Sequence, residues 1–160
     1  MPAPLKFVLD GDTRLTITRH FAATPDLVFR AHTDCALIQR WMLGPPGWSM
    51  PVCEMDPRPG GAYRHDYLGP EGESFSVFGT IVEIEPNRRI QHVEYMLLPE
   101  RTPDNALETL FEPVDQGTRL TIHMRLPNAE ARAEMLETGM MDGMEMAYAS
   151  LDELLETGEV

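Results

Sequence analysis

DPRPGGAYRHDYLGPEGESFSVFGTIVEIEPNRRIQHVEYML, residues 56–97, reads as three extended runs divided by short breaks. Gly61 to Leu68 comes first, Ser74 to Glu85 follows GPEG, and Arg89 to Leu97 follows EPNR. Glycine, proline and asparagine in breaks this short close antiparallel hairpins. A parallel crossover needs a dozen residues or more, so these strands must run up and down.

The same pattern continues outward. Upstream, Ser49 to Asp56 is a further strand, joined through DPRPGG, and LGPPGW at 43–48 is turn chemistry. Downstream, Asn105 to Glu112 and Thr118 to Leu126 flank PVDQG, beyond a polar loop at 98–104. Near the amino terminus TRLTITRH, Thr13 to His20, sets Leu15 and Ile17 against Thr16, Thr18 and Arg19, a half-exposed strand. Thr24-Pro25 then opens one or two short helices carrying Leu27, Val28, Ala31, Leu37, Ile38 and Trp41, broken near Thr33-Asp34, with Asp34 able to cap the second.

Pro127-Asn128 caps the closing helix, which has a weak point at Thr138-Gly139. Met140, Met144, Ala147/Tyr148, Leu151 and Leu154/Leu155 recur at three and four residues, an apolar stripe with acids opposite. The order is β-α-α-β-β-β-β-β-β-α, an α+β fold of one domain over 1–160. Six or seven antiparallel strands and one long amphipathic helix bury their apolar faces when the helix lies across the concave side of a curved sheet. Such a sheet stands away from its helix at the centre, so an internal cavity is expected there.

Charge bounds the partners. The chain of 160 residues carries a net charge of −13, and residues 129–160 hold nine acids against Arg132 alone. Nucleic acid and anionic membranes would be repelled. The acidic stretch is read as a solvated helix face. No apolar run approaches the roughly 20 residues that span a bilayer. Cys35 and Cys53 are read as reduced core thiols rather than a disulfide framework. With no signal-peptide pattern in MPAPLKFVLDGDT, a cytoplasmic location is expected.

Strand alternation selects the cavity wall. Val82 and Ile84 are taken as inward, which brings Phe78 and Thr80 inward too. Tyr63, His65 and Tyr67 form the inward set of their strand. Ile90, His92 and Glu94, then Leu107, Thr109 and Phe111, then Leu120, Ile122 and Met124, complete it. The lining is apolar with Tyr63, His65, His92 and Glu94 as its polar members, a mixture typical of small-molecule pockets. Two imidazoles and a carboxylate are chemically able to hold a metal, but no close ligand spacing supports one. His65 or His92 is also able to act as a general base beside Glu94. Hydrogen bonding of each histidine to a wall tyrosine or carboxylate explains them without catalysis, so no catalytic residue, metal or cofactor is assigned.

Arg58-Pro59-Gly60-Gly61, Phe78-Gly79-Thr80-Ile81-Val82-Glu83-Ile84-Glu85-Pro86 and Gly117-Thr118-Arg119-Leu120-Thr121, in this order, resemble the START-like superfamily, and within it the activator of heat-shock-protein-90 ATPase homologue-like family. The resemblance spans about residues 12 to 156. Gly143-Met144 stands where that family carries Gly-Trp, and Tyr148, Leu151 and Leu154 continue the pattern. The resemblance implies a helix-grip fold with a hydrophobic pocket between long helix and sheet. It supplies no shared catalytic residues, and its members range from lipid carriers and cyclases to stress-response co-chaperones. The resulting expectation is binding of a small hydrophobic or amphipathic molecule by Trp41, Tyr63, His65, Phe78, His92, Glu94, Phe111, Met140, Met144 and Tyr148. A histidine-dependent cyclase or hydrolase activity, a chaperone-associated protein partner and a homodimer stay open.

Overall fold

In the computed structural model, which describes residues 2–160, eight strands form one antiparallel sheet. Chain order gives β1 (Ala3–Asp10), β2 (Arg14–Phe21), helices α1 (Pro25–Thr33) and α2 (Cys35–Trp41), then β3 (Ser49–Met55) and β4 (Ala62–Leu68). There follow β5 (Ser74–Glu85), β6 (Arg89–Leu97), β7 (Asn105–Val114), β8 (Gly117–Arg125), α3 (Ala129–Glu137) and α4 (Met140–Glu156). Across the sheet the order is β1-β2-β8-β7-β6-β5-β4-β3. The expected hairpins from β3 to β8 are all present, and the α+β helix-grip architecture holds.

Two elements differ from expectation. The apolar LKFVL run belongs to β1, an edge strand that pairs with β2 through the tight turn at Gly11 to Thr13. The carboxy-terminal helix is two helices, because Gly139 adopts φ 78°, a left-handed conformation that interrupts a right-handed helix. Asn128 accepts from the Ala131 amide and caps α3, and Asp34 likewise caps α2 through the Ala36 amide. Thr24 precedes Pro25 at the start of α1 without a side-chain cap.

The chain leaves β2, next to one edge of the sheet, and re-enters at β3, the opposite edge, so α1 and α2 must cross the concave side. Phe29 of α1 meets Phe111 of β7 edge to face at 5.2 Å. Trp41 of α2 stacks on Tyr148 of α4 at 5.7 Å and donates from Nε1 to the Ala31 carbonyl at 2.9 Å. Beneath α4 the interior is closed. Leu15, Ile17, Phe21 and Leu151 retain 1% exposure or less, and Trp41, Phe111 and Tyr148 are buried in the same cluster. The cavity expected under the middle of the helix is therefore filled there by side chains.

Arg19 is not on the solvent side of β2, where its grouping with Thr16 and Thr18 set it; period two sets it with Leu15 and Ile17. It shares the inner face with Leu15, Ile17 and Phe21 and is 3% exposed. Its guanidinium reaches Glu145 (3.0 Å, Nε and Nη2) and Asp152 (3.0 and 2.8 Å) on α4, and lies 5.0 Å from the Phe21 ring centre. Two acids of the stretch read as solvated thus clamp α4 onto β2. Glu145 also accepts from the Leu5 amide at 2.7 Å, adding β1 to the clamp.

The thiol expectation is overturned. Cys35 and Cys53 form a disulfide, with Cα atoms 5.7 Å apart, tying the start of α2 to β3. Two cysteines 18 residues apart meet because the α2-to-β3 loop folds back over the sheet edge.

Candidate functional site

On the β3-to-β6 half of the sheet the inner face is laid out in rungs of directly opposed residues. One rung runs Met55–Tyr63–Gly79–Glu94–Asn105, and the next Cys53–His65–Val77–Met96. A third couples Ile81, His92 and Leu107, and Tyr67 faces Phe75 at the outer end. Tyr63, His65, His92 and Glu94 are therefore on one face, as alternation predicted.

Phe78 is on the other face. Val82 is an extra residue between Ile81, opposite His92, and Glu83, opposite Gln91. This bulge reverses the parity of β5, so Ile84 faces in after it and Ile81, Gly79, Val77 and Phe75 face in before it. Val82 is accordingly 47% exposed and Ile81 1%. Phe78 and Thr80 were expected inside because parity was counted back through the bulge. Instead Phe78 stacks on Tyr95 at 5.4 Å, with the Arg64 guanidinium over it at 5.2 Å, on the convex side. A cleft of about 440 Å³ there is lined by Arg64, Phe78, Tyr95, Arg101 and neighbours. A second, of about 530 Å³, opens near Pro25, Arg88 and Pro113. Neither is the concave polar face.

Gly79 gives Tyr63 its reach. A Cβ at position 79 would overlap the Tyr63 ring, so the missing side chain lets the ring lie across β5 towards β6. The Tyr63 hydroxyl is 2.7 Å from Glu94 Oε2 and 2.7 Å from His92 Nδ1. It has one proton, given to Glu94, so it accepts from Nδ1–H. His92 Nε2 is then free to accept from the Thr109 hydroxyl at 3.3 Å. The chain Thr109–His92–Tyr63–Glu94 thus has one direction, with a neutral imidazole inside it.

Electrostatics agree. Burial lowers the His92 pKa to about 4. Burial, then the neighbouring carboxylate, holds the Tyr63 phenol well above its ordinary value. Burial raises the Glu94 carboxyl, opposed by the Tyr63 hydrogen bond and by His65. His65 is lowered by burial, with Glu94 and Asp66 acting the other way. Its Nε2 is buried without a partner.

His32, unmarked in the sequence reading, belongs beside this group. Its Nδ1 lies 2.7 Å from the Val28 carbonyl, and its Nε2 is buried and unpartnered. The ring packs edge-on to Trp41 (4.9 Å) and Phe111 (5.3 Å). Burial lowers its pKa to about 4, and His92 repels it further. The signal was its position four residues after Val28 on the apolar side of α1.

Apart from Phe78, on the convex side, the expected wall residues divide in three. Tyr63, His65, His92 and Glu94 form the polar group. Trp41, Phe111 and Tyr148 are built into the closed core. Met140 and Met144 are half-buried on the first turns of α4, where the Gly143 carbonyl approaches Gly44 of the 42–48 loop. Tyr67, Phe75, Val77, His92, Glu94 and Met96 face inward yet stay only half-buried, unlike their counterparts beneath α4. The stacked pair Tyr67–Phe75 (4.6 Å, 10°) continues to Trp48 at 5.6 Å. Among the described residues no cluster of three or more His, Cys, Asp or Glu suited to a metal ion occurs, and no helix is long and apolar enough to cross a membrane.

Solved structures share this fold. A Rhodobacter sphaeroides protein is 32% identical with a TM-score of 0.91, covering 97% of this chain and 99% of its own. A Mycobacterium smegmatis protein is 26% identical with a TM-score of 0.84, covering 97% of both chains. One from Nitrosomonas europaea is 26% identical with a TM-score of 0.81, covering 94% of this chain and 99% of its own. No curated protein matches the chain. Residues 22–156, from the end of β2 to the end of α4, match the family described as Activator of Hsp90 ATPase homolog 1-like protein, and the chain belongs to that family.

Proposed function

We propose that the protein binds a small hydrophobic or amphipathic molecule on the concave face of β3–β6, beside the closed core rather than beneath the middle of α4. One observation carries this reading: inward-facing aromatic and aliphatic side chains remain half-buried there, around a polar group whose His65 Nε2 has no partner. An unsatisfied buried nitrogen costs about 1–3 kcal/mol, which a guest hydrogen bond would recover. Tyr63, His65, His92 and Glu94 would orient the guest, with Tyr67, Phe75 and Val77 against its apolar body and Met140 and Met144 bordering it. Nothing in this arrangement calls for a catalytic step. A chaperone partner or stress-response role has only the family description behind it. The Cys35–Cys53 bond removes the thiol argument for a cytoplasmic location, and the reading uses none.

Titration with the neutral dye Nile red tests it. Wild type and Thr80→Trp, on the convex face, should enhance its fluorescence, and Val77→Trp should not. Equal binding by both variants, or none by the wild type, would end this reading.

A homodimer is favoured by β1. It is a sheet edge with Phe7, Val8 and Leu9 exposed, an arrangement that invites strand pairing. Antiparallel self-pairing centred on Val8 would set Lys6 opposite Asp10 of a second copy. Sedimentation should show a dimer that Val8→Lys converts to monomer; a monomeric wild type at high concentration rules the pairing out.

A further inference from the structure

Glu94 is bonded to Tyr63, with Tyr67 and Phe75 two rungs along the same face, and among the described residues it has no cation of its own. It accepts from Tyr63 at 2.7 Å, and after burial, the larger cause, its charge also raises the pKa values of Tyr63 and Tyr67 and acts on His65. Among the described residues no arginine or lysine pairs with it, whereas the other inward-facing charge, Arg19, is matched by two acids. The imidazoles are poor substitutes, because burial disfavours the charged form of both His65 and His92. A carboxylate turned inward and largely shielded from water without a counter-charge is costly, and the cost is relieved by a cation or a proton.

The walls suit the cation. Tyr63 shares the rung of Glu94, and the Tyr67–Phe75 stack, two rungs along, gives a broad π surface for the rest of the guest. Aromatic faces attract ammonium groups, most strongly where water is scarce. The net charge of −13 draws cations towards the protein and turns anions away. An alcohol would satisfy the His65 nitrogen but leave the Glu94 charge unmatched.

Resting on the ligand-binding reading above, we propose that the guest is a hydrophobic organic cation, an amine-bearing molecule whose ammonium meets Glu94 and whose apolar body lies on Tyr67 and Phe75. The amine end supplies N–H donors to the free Glu94 oxygen and to an unprotonated His65 nitrogen. The apolar end replaces water along Val77 and Met96. The site thereby selects by charge first and by shape second.

Calorimetric titration with three probes of one shape tests this near neutral pH: naphthylmethylamine, naphthylmethanol and naphthoic acid. The amine should bind about tenfold or more tightly than the alcohol, and the acid weakest. Glu94→Gln should erase the preference for the amine while keeping the alcohol, and Glu130→Gln, which changes net charge equally on the exposed face of α3, should preserve it. If Glu94→Gln fails to fold by near-ultraviolet circular dichroism, Glu94→Asp should narrow the preference instead. Alcohol or acid binding as tightly as the amine, or a preference surviving at Glu94→Gln or unchanged in Glu94→Asp, overturns the charge assignment and leaves the pocket standing. Binding of none of the three defeats both.

Discussion

Tyr63 on β4 donates a hydrogen bond from its hydroxyl to Glu94 on β6 across the bare backbone of Gly79, at 2.7 Å. Two strands that do not neighbour each other are joined by a side chain because the strand between them supplies no Cβ. Gly79→Ala should push the ring aside and break its bonds to Glu94 and His92 together. We expect a loss of about 1–3 kcal/mol, read by urea denaturation, with Tyr63→Phe losing about as much by leaving both partners unmatched. An unaffected Gly79→Ala protein would show that the ring has another seat.

Arg19 fixes α4. Arg19→Met strands Glu145 and Asp152, which are partly exposed and so retain some hydration, and should cost about 2–4 kcal/mol. Asp152→Asn, leaving Glu145 in place, should cost less. Denaturation midpoints compare the two, and the reverse order would contradict the shared clamp.

Acid should weaken the fold through its buried imidazoles. His32 and His92 have folded pKa values of about 4, below the ordinary 6.5, so the unfolded chain binds more protons between those limits. Their stabilisation is complete above about pH 6.5 and is lost as pH falls towards 4, at most about 3 kcal/mol for each. Glu94, shifted upwards, opposes part of this loss because its folded form takes up the proton first. Thermal melts between neutral pH and about pH 4 should slope down, and His32→Phe should flatten the slope. An unchanged slope in that variant would remove His32 from the account.

Reduction of the Cys35–Cys53 bond should lower stability by about 3 kcal/mol, the loop-closure value for a separation of 18 residues. The comparison is denaturation with and without reductant, using Cys35→Ser/Cys53→Ser as the reference that reductant should leave unmoved. Equal midpoints for oxidised and reduced wild type would show that the bond does not stabilise the fold.

Most of the sheet was legible because its turns are chemically explicit: GPEG, EPNR and PVDQG each mark a reversal, and the runs between them kept their bounds to within a residue or two. β1 escaped because LKFVL has no alternation, although the turn after it was written in Gly11 to Thr13. Phe78 was misplaced because IVEI fits either parity and nothing local announces the extra residue at Val82. Arg19 was grouped outward for its charge although period two from Leu15 and Ile17 places it inward; its partners Glu145 and Asp152 lie 126 and 133 residues further on. The Cys35–Cys53 pair and His32 were hidden because their environments are made by elements distant in the chain. The polar group Tyr63, His65, His92 and Glu94 was readable because each strand carrying it keeps strict alternation.

The bulge at Val82 makes β5 obey two opposite rules of substitution. Before it, even-numbered positions are free to become charged and odd ones are not; after it, the allowance changes hands. Deleting Val82 would leave every other side chain on its present face, because Ile81 and Glu83 already oppose consecutive residues of β6; pairing Val82 regularly instead would turn one half of the strand inside out, presenting Phe78 to the interior and Val77 to water.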